Sequence, residues 1–185
     1  MKKIGFLKDK PIFFTTLETP MGLLEVHLFW GKEFIGHIIA SGRKWNYTDT
    51  EDYRCSEEIE HFIHVNNISN PTIYTIQVSD LHRSKFEGYG LGGALYSATL
   101  NFMWDLNKKS PYILINDACG EGGTTPEANR VYDKLLNFYS GIKTADAFSG
   151  DIVREGSGVG FVILIDKPIL LPPTNHIYLH RSKRN

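Results

Sequence analysis

Apolar and polar positions alternate along the start of the chain with the period of β-structure. Leu24, Val26 and Leu28 interleave with Glu25 and His27, as in a strand with one buried face. Trp30-Gly31-Lys32-Glu33 supplies a turn, and Phe34 to Ala40 returns as the other arm of a hairpin. Upstream, Pro11-Ile12-Phe13-Phe14-Thr15-Thr16 is short and β-prone. Residues 41–55 are polar and aromatic without a period and read as loop.

The period then lengthens. Ser56-Glu57-Glu58 reads as an N-cap followed by acids suited to the positive end of a helix dipole. Ile59, Phe62 and Ile63 give that helix one apolar face, and Asn66 to Pro71 breaks it. Tyr74, Ile76 and Val78 alternate with Thr75, Gln77 and Ser79, which predicts a strand ending near Asp80. Leu91, Leu95, Ala98 and Phe102 recur at helical spacing. Tyr112-Ile113-Leu114-Ile115 is a continuous apolar run, expected of a strand covered on both faces. Thr125-Pro126-Glu127 opens another helix, with proline at its first position. Ala128, Val131, Tyr132, Leu135 and Phe138 form its predicted buried stripe, and Gly141 is its stop. A weak strand around 146–154 and a strong one over Val159 to Ile165 follow. The order is a β-rich start, a strand-helix-strand-helix unit and a β end. A right-handed crossover makes the two central strands parallel.

Composition narrows the class. With 185 residues and a formal net charge of -1, the chain suits one domain and carries no global field toward nucleic acid or anionic membrane. Two cysteines, Cys55 and Cys119, make no disulfide framework and lack zinc-site spacing. Met1-Lys2-Lys3 leads into mixed residues and Asp9, and the apolar runs are strand-sized. A cytoplasmic protein with reduced thiols and no membrane span is expected. His61-x-x-His64 suggests no third ligand, so no metal is expected. His176 and His180 belong to a basic C-terminal extension over 176–185.

The candidate chemistry lies in Glu87-Gly88-Tyr89-Gly90-Leu91-Gly92-Gly93, between a strand and a helix. Glycine admits positive φ and lets backbone approach a ligand closely. The first amides of a helix have no internal partner and sit at the positive dipole end. Together they favour a phosphate. Gly88, Gly90 and Gly93 also satisfy the G-x-G-x-x-G dinucleotide fingerprint, with Asp117 ending the next strand. That fingerprint needs its first glycine directly after the strand, and Leu81 to Glu87 intervene. A doubly wound sheet also needs more strand-helix units than this chain offers.

Residues 72–138 resemble the core of the GNAT superfamily of acyl-CoA-dependent N-acyltransferases. Glu87-Gly88-Tyr89-Gly90-Leu91-Gly92 falls on the family's R/Q-x-x-G-x-G/A, with both glycines matched and Glu87 where Arg or Gln is usual. Ala128 to Phe138 looks like A-x-x-L-Y-E-K-x-G-F, with Tyr132 on the tyrosine and Asp133-Lys134 on the acid-lysine pair. One extra residue precedes Phe138, and Asn137 stands where glycine is usual. Trp30 to Ile38 resembles the hairpin before the core. The two helices usual between the family's first strands have no room here, so residues 41–70 are the expected acceptor side.

The resemblance implies one GNAT-like domain over 1–185, with 72–138 as its cofactor-binding core. The implied fold class is α/β (α+β): a mixed, mostly antiparallel twisted sheet with a central parallel pair and flanking helices. The implied activity is N-acyl transfer by direct attack of an amine on a thioester, with acetyl-CoA the expected donor. Gly88, Tyr89, Gly90, Leu91, Gly92, Gly93 and Asn129 are the expected coenzyme contacts. Nearby His82, Arg83 and Lys85 are candidate positive charges or solvated loop residues. Tyr132 would be general acid for the leaving thiolate. Asp80, His82 or Glu121 would be the base, of which Asp80 is the choice. The acceptor is an amine on a small molecule or protein. Rival readings are a non-catalytic GNAT-fold binding module, a nucleic-acid-modifying relative suggested by the basic ends, and a dinucleotide oxidoreductase.

Overall fold

In the computed structural model, the described residues are 2–7, 10–44, 56–81, 90–116, 126–145 and 159–169. They form one eight-stranded sheet in the order β1-β2-β3-β4-β5-β6-β8-β7. Four strands make an antiparallel meander: β1 (Lys2–Leu7), β2 (Lys10–Glu18), β3 (Leu23–Trp30) and β4 (Glu33–Lys44). The predicted β3–β4 hairpin forms, and its turn uses Gly31 at φ +61°. Next come helix α1 (Ser56–Val65), β5 (Thr72–Leu81), α2 (Leu91–Leu106), β6 (Tyr112–Asn116), α3 (Pro126–Phe138), β7 (Gly141–Ala145) and β8 (Val159–Ile165). β5 and β6 are the central parallel pair, running from Thr72↔Tyr112 to Ile76↔Asn116. Every other pairing is antiparallel.

Helices cover both faces. α2 and α3 pack on one face, where Leu91, Leu95, Leu100, Tyr132 and Leu135 join Val26, Leu28, Ile38, Ile76 and Leu114 in the larger core. α1 lies on the other, where Ile59, Phe62 and Ile63 meet Ile73, Ile113, Ile115 and Val162. β6 is buried along its whole length, as its unbroken apolar run demands.

Four details differ from the sequence reading. Residues 41–44 continue β4, because Ser41 to Lys44 pair with Thr75 to Thr72 of β5. Gly42 permits this, since a Cβ there would collide with the Tyr74 ring. The strand after α3 begins at Gly141, and residues 146–154 lie outside the described residues. A Cβ at Gly141 would stand 2.6 Å from the Val162 carbonyl oxygen, so glycine lets the chain leave the helix straight onto the sheet. Phe138 is 37% exposed, and Tyr139 takes the interior place instead. Val78 faces outward because a bulge opposite Ile39/Ala40 shifts the alternation, placing Ser79 across from buried Ile38.

Candidate active site

The glycine turn delivers the chain into α2. Gly90 occupies the N-cap with φ 73° and ψ 17°, a left-handed conformation that glycine adopts at little cost. The amide of Ala94 donates to the Gly90 carbonyl at 3.1 Å, the first bond of the helix. The amides of Leu91, Gly92 and Gly93 therefore have no partner within it. Among the described residues no side chain caps this end, and its first turn holds no acid. Leu91 is buried and anchors the turn in the core.

Two glycines inside the first turn of a helix each cost up to about 1 kcal/mol relative to alanine. A Cβ at Gly92 would make ordinary 3.5 Å contacts with Leu81 and Val131, and one at Gly93 would meet no described residue within 4 Å. Packing within the described protein thus requires neither.

Tyr132 lies further along the same face. It is 4% exposed, with its ring 5.0 Å from that of Phe161 and 5.8 Å from that of Tyr96. The Tyr96 hydroxyl stands 3.4 Å from both the Tyr132 hydroxyl and Asn116 Oδ1. Tyr96 and Asn116 are 3% and 2% exposed. Burial pushes the Tyr96 phenol well above its usual range, the adjacent Tyr132 adds to this, and the Ser79 side chain's hydrogen bond opposes it. Tyr96 thus holds its proton as a buried donor. Among the described residues, Asn116 Nδ2 and Asn129 Oδ1 are buried without a hydrogen-bond partner. Buried polar atoms are seldom left so.

Helix and strand geometry explains how these groups meet. Asn116 ends β6, Tyr96 sits on the buried face of α2, and Tyr132 sits on the buried stripe of α3. β5 runs five residues past Ile76, the last of its residues paired with β6 (Ile76↔Asn116), and Gln77 to Leu81 are exposed. Among the described residues, no strand covers that edge.

The structure brings Gly90, Leu91, Gly92, Gly93, Asn129 and Tyr132 to the α2–α3 side of the sheet. It does not bring Asp80 there: this exposed residue pairs with His37 on the opposite face. Gly88, Tyr89, Glu87, His82, Arg83, Lys85, Asp117, Cys119, Glu121 and Thr125 lie outside the described residues, as do Cys55 and 170–185. Tyr96 and Asn116 were missed. Their signal was a polar tip at an inward position, which in sequence looks like ordinary aromatic core or a strand end.

Elsewhere, exposed His61 and His64 lie on α1, and His61 borders a groove of about 530 Å³ with Phe62, Val65 and Ile142. No group of three or more His, Cys, Asp or Glu side chains among the described residues is placed to hold a metal. No described helix is long and apolar enough to cross a membrane.

The sheet order, its one parallel pair and the helix placement make a GNAT-like fold. A solved structure of Arabidopsis thaliana NAA60 in complex with acetyl-CoA superposes with a TM-score of 0.51, covering 83% of this chain and 97% of that one at 11% identity. A Drosophila melanogaster polyamine N-acetyltransferase matches with a TM-score of 0.47, over 76% of this chain and 73% of that one at 10% identity. The ribosomal-protein-S5-alanine acetyltransferase of Vibrio fischeri matches at 0.41, over 78% of this chain and 62% of that one at 9% identity. No family model matches the sequence, and no curated protein does.

Proposed function

We propose that this chain is an acyl-CoA-dependent N-acyltransferase that takes acetyl-CoA as donor and an amine of a small molecule or protein as acceptor. The observation that carries this is one arrangement: a glycine-floored helix start and a buried phenol share a sheet face beside the stretch of β5 that runs past β6. Among the described residues, no side chain caps that helix start and no strand covers that edge. The Arabidopsis neighbour, solved with acetyl-CoA, supports the choice of donor.

The residues present fit that group. No described residue lies within 4 Å of a Cβ built at Gly93, which leaves room for a diphosphate against the amides of Leu91, Gly92 and Gly93. Gly88 and Tyr89 are the further contacts expected from the sequence. The unpartnered oxygen of Asn129 suits an amide N–H of a pantetheine arm, and Asn116 Nδ2 suits a carbonyl. A coenzyme A thioester supplies an activated acyl carbon and a thiolate leaving group. Tyr132 donates the proton that the thiolate needs. Main-chain amides on the free edge of β5 polarise the acyl carbonyl. Asp80, on the stretch of β5 past its last pair with β6 and on the sheet face opposite Tyr132, takes the proton of the incoming amine.

Thermal shift with acetyl-CoA, coenzyme A and NAD tests the reading, because a ligand of the native state raises its stability. Stabilisation by both coenzyme forms, with thiol release on adding amines, is expected. Stabilisation without thiol release from any amine would point to a binding module, the reading that Glu87 favours. Stabilisation by NAD alone would refute the proposal.

A further inference from the structure

The geometry points to Tyr96 as the positioning residue for Tyr132, its hydroxyl steadying the charge left on the Tyr132 oxygen when that group gives up its proton. This rests on the acyltransferase reading and goes beyond it, since nothing in that reading requires a second phenol.

The Tyr96 hydroxyl has one proton and two acceptors, Asn116 Oδ1 and the Tyr132 oxygen, each 3.4 Å away. At rest both acceptors are neutral and both bonds are long. During transfer the amine nitrogen bonds to the acyl carbon, and the carbon–sulfur bond breaks with its electron pair on sulfur. The Tyr132 proton passes to that sulfur, and the amine proton passes to the base. Tyr132 is then a phenolate and is reprotonated from water. Tyr96 keeps its own proton throughout, and burial raises its pKa, so it is never itself the acid.

The new charge draws the shared proton away from Asn116 and toward Tyr132, and a hydrogen bond to an ionised acceptor is about twice as strong as a neutral one. The interaction strengthens only as the reaction proceeds, so it accelerates turnover without tightening substrate binding. Ring contact at 5.8 Å between the two tyrosines, each locked in the core, keeps the pair in register. Asn116 supplies the alternative acceptor that holds the Tyr96 hydroxyl in place before proton transfer begins.

Tyr96→Phe removes one oxygen and keeps the ring. Its kcat is expected to fall roughly 10-fold or more, while the Kd for acetyl-CoA measured by calorimetry stays within about twofold. In a Tyr132→Phe background the same change should cost nothing further, because no phenolate forms there. Undiminished kcat in Tyr96→Phe, a weakened Kd that accounts for the loss, or equal losses in both backgrounds would each overturn the assignment. Should Tyr96→Phe fail to fold, 3-fluorotyrosine in place of Tyr96 keeps the hydroxyl and makes it a stronger donor. A raised kcat supports the assignment, and an unchanged one overturns it. Wild-type protein that binds no coenzyme would take down the acyltransferase reading as well, whereas active wild type with additive losses removes only Tyr96.

Discussion

Asp80 and Tyr132 lie on opposite faces of the sheet. Asp80 pairs with His37 on the face away from α2, while Tyr132 is buried between α3 and β8 on the other side. Asp80 lies on the stretch of β5 that runs past the last pair with β6, Ile76↔Asn116. In the proposed reaction, thiolate protonation and amine deprotonation happen on separate sides, so the acid and base need not neutralise each other.

Replacing Tyr132 with Phe is expected to lower kcat by roughly 100-fold, within the range usual for general acid catalysis. The Kd for acetyl-CoA should hardly move, since the ring and its packing against Phe161 remain. Steady-state kinetics alongside calorimetry separates the two quantities. A variant with wild-type turnover would remove Tyr132 from the mechanism.

Gly90 and Gly93 should respond in opposite ways to alanine. At Gly90 the φ of 73° makes a Cβ cost roughly 1 kcal/mol or more in strain. At Gly93 the Cβ meets no described residue within 4 Å, so better helix propensity should raise stability by about 0.5 kcal/mol. The same methyl group would sit where the diphosphate is proposed to lie. Gly93→Ala should therefore melt higher yet bind coenzyme at least tenfold more weakly, a pairing that thermal melts and calorimetry would read directly. Unchanged affinity would move the phosphate site elsewhere.

Gly36 tests the scaffold that carries Asp80. A Cβ there would lie 2.5 Å from the Asp80 carbonyl oxygen and 2.6 Å from Leu81 Cδ2. Gly36→Ala is expected to lose about 2 kcal/mol in urea unfolding, since the backbone of β5 cannot give way as a side-chain tip would. Coenzyme affinity should fall with it, because the displaced segment leads into the glycine turn.

Stability should decline in alkali. Burial raises the phenols of Tyr96, Tyr112 and Tyr139; Tyr132 adds to the first, Tyr139 and Tyr74 to the second, and Asp166 to the third. In the unfolded chain these groups lose protons near pH 10, ahead of the folded state. Their contribution is complete below about pH 10 and is lost as pH rises toward the raised folded values. Melting temperature should fall steeply above about pH 10, and Tyr112→Phe should shallow that slope. The same variant loses the bond from the Tyr112 hydroxyl to the Leu100 carbonyl and should be about 1 kcal/mol less stable at neutral pH. An unchanged alkaline slope would show that Tyr112 does not titrate on unfolding.

Local pattern alone carried much of this protein. Alternation at Leu24, Val26 and Leu28 specified a strand and its inward face, and the unbroken run at Tyr112 to Ile115 specified one covered twice. The glycines before Leu91 marked a turn into a helix start, because backbone freedom and dipole polarity act within a few residues. Val78 and Ser79 were misread because a bulge depends on pairing with β4, which no single strand encodes. Gly42 and Gly141 likewise serve neighbours distant in sequence, Tyr74 in one case and Val162 with Ile163 in the other. The meeting of Tyr96, Asn116 and Tyr132 was decided by tertiary structure alone. Each is an inward position on a different element, and only packing two helices on one sheet face brings three polar tips to one point.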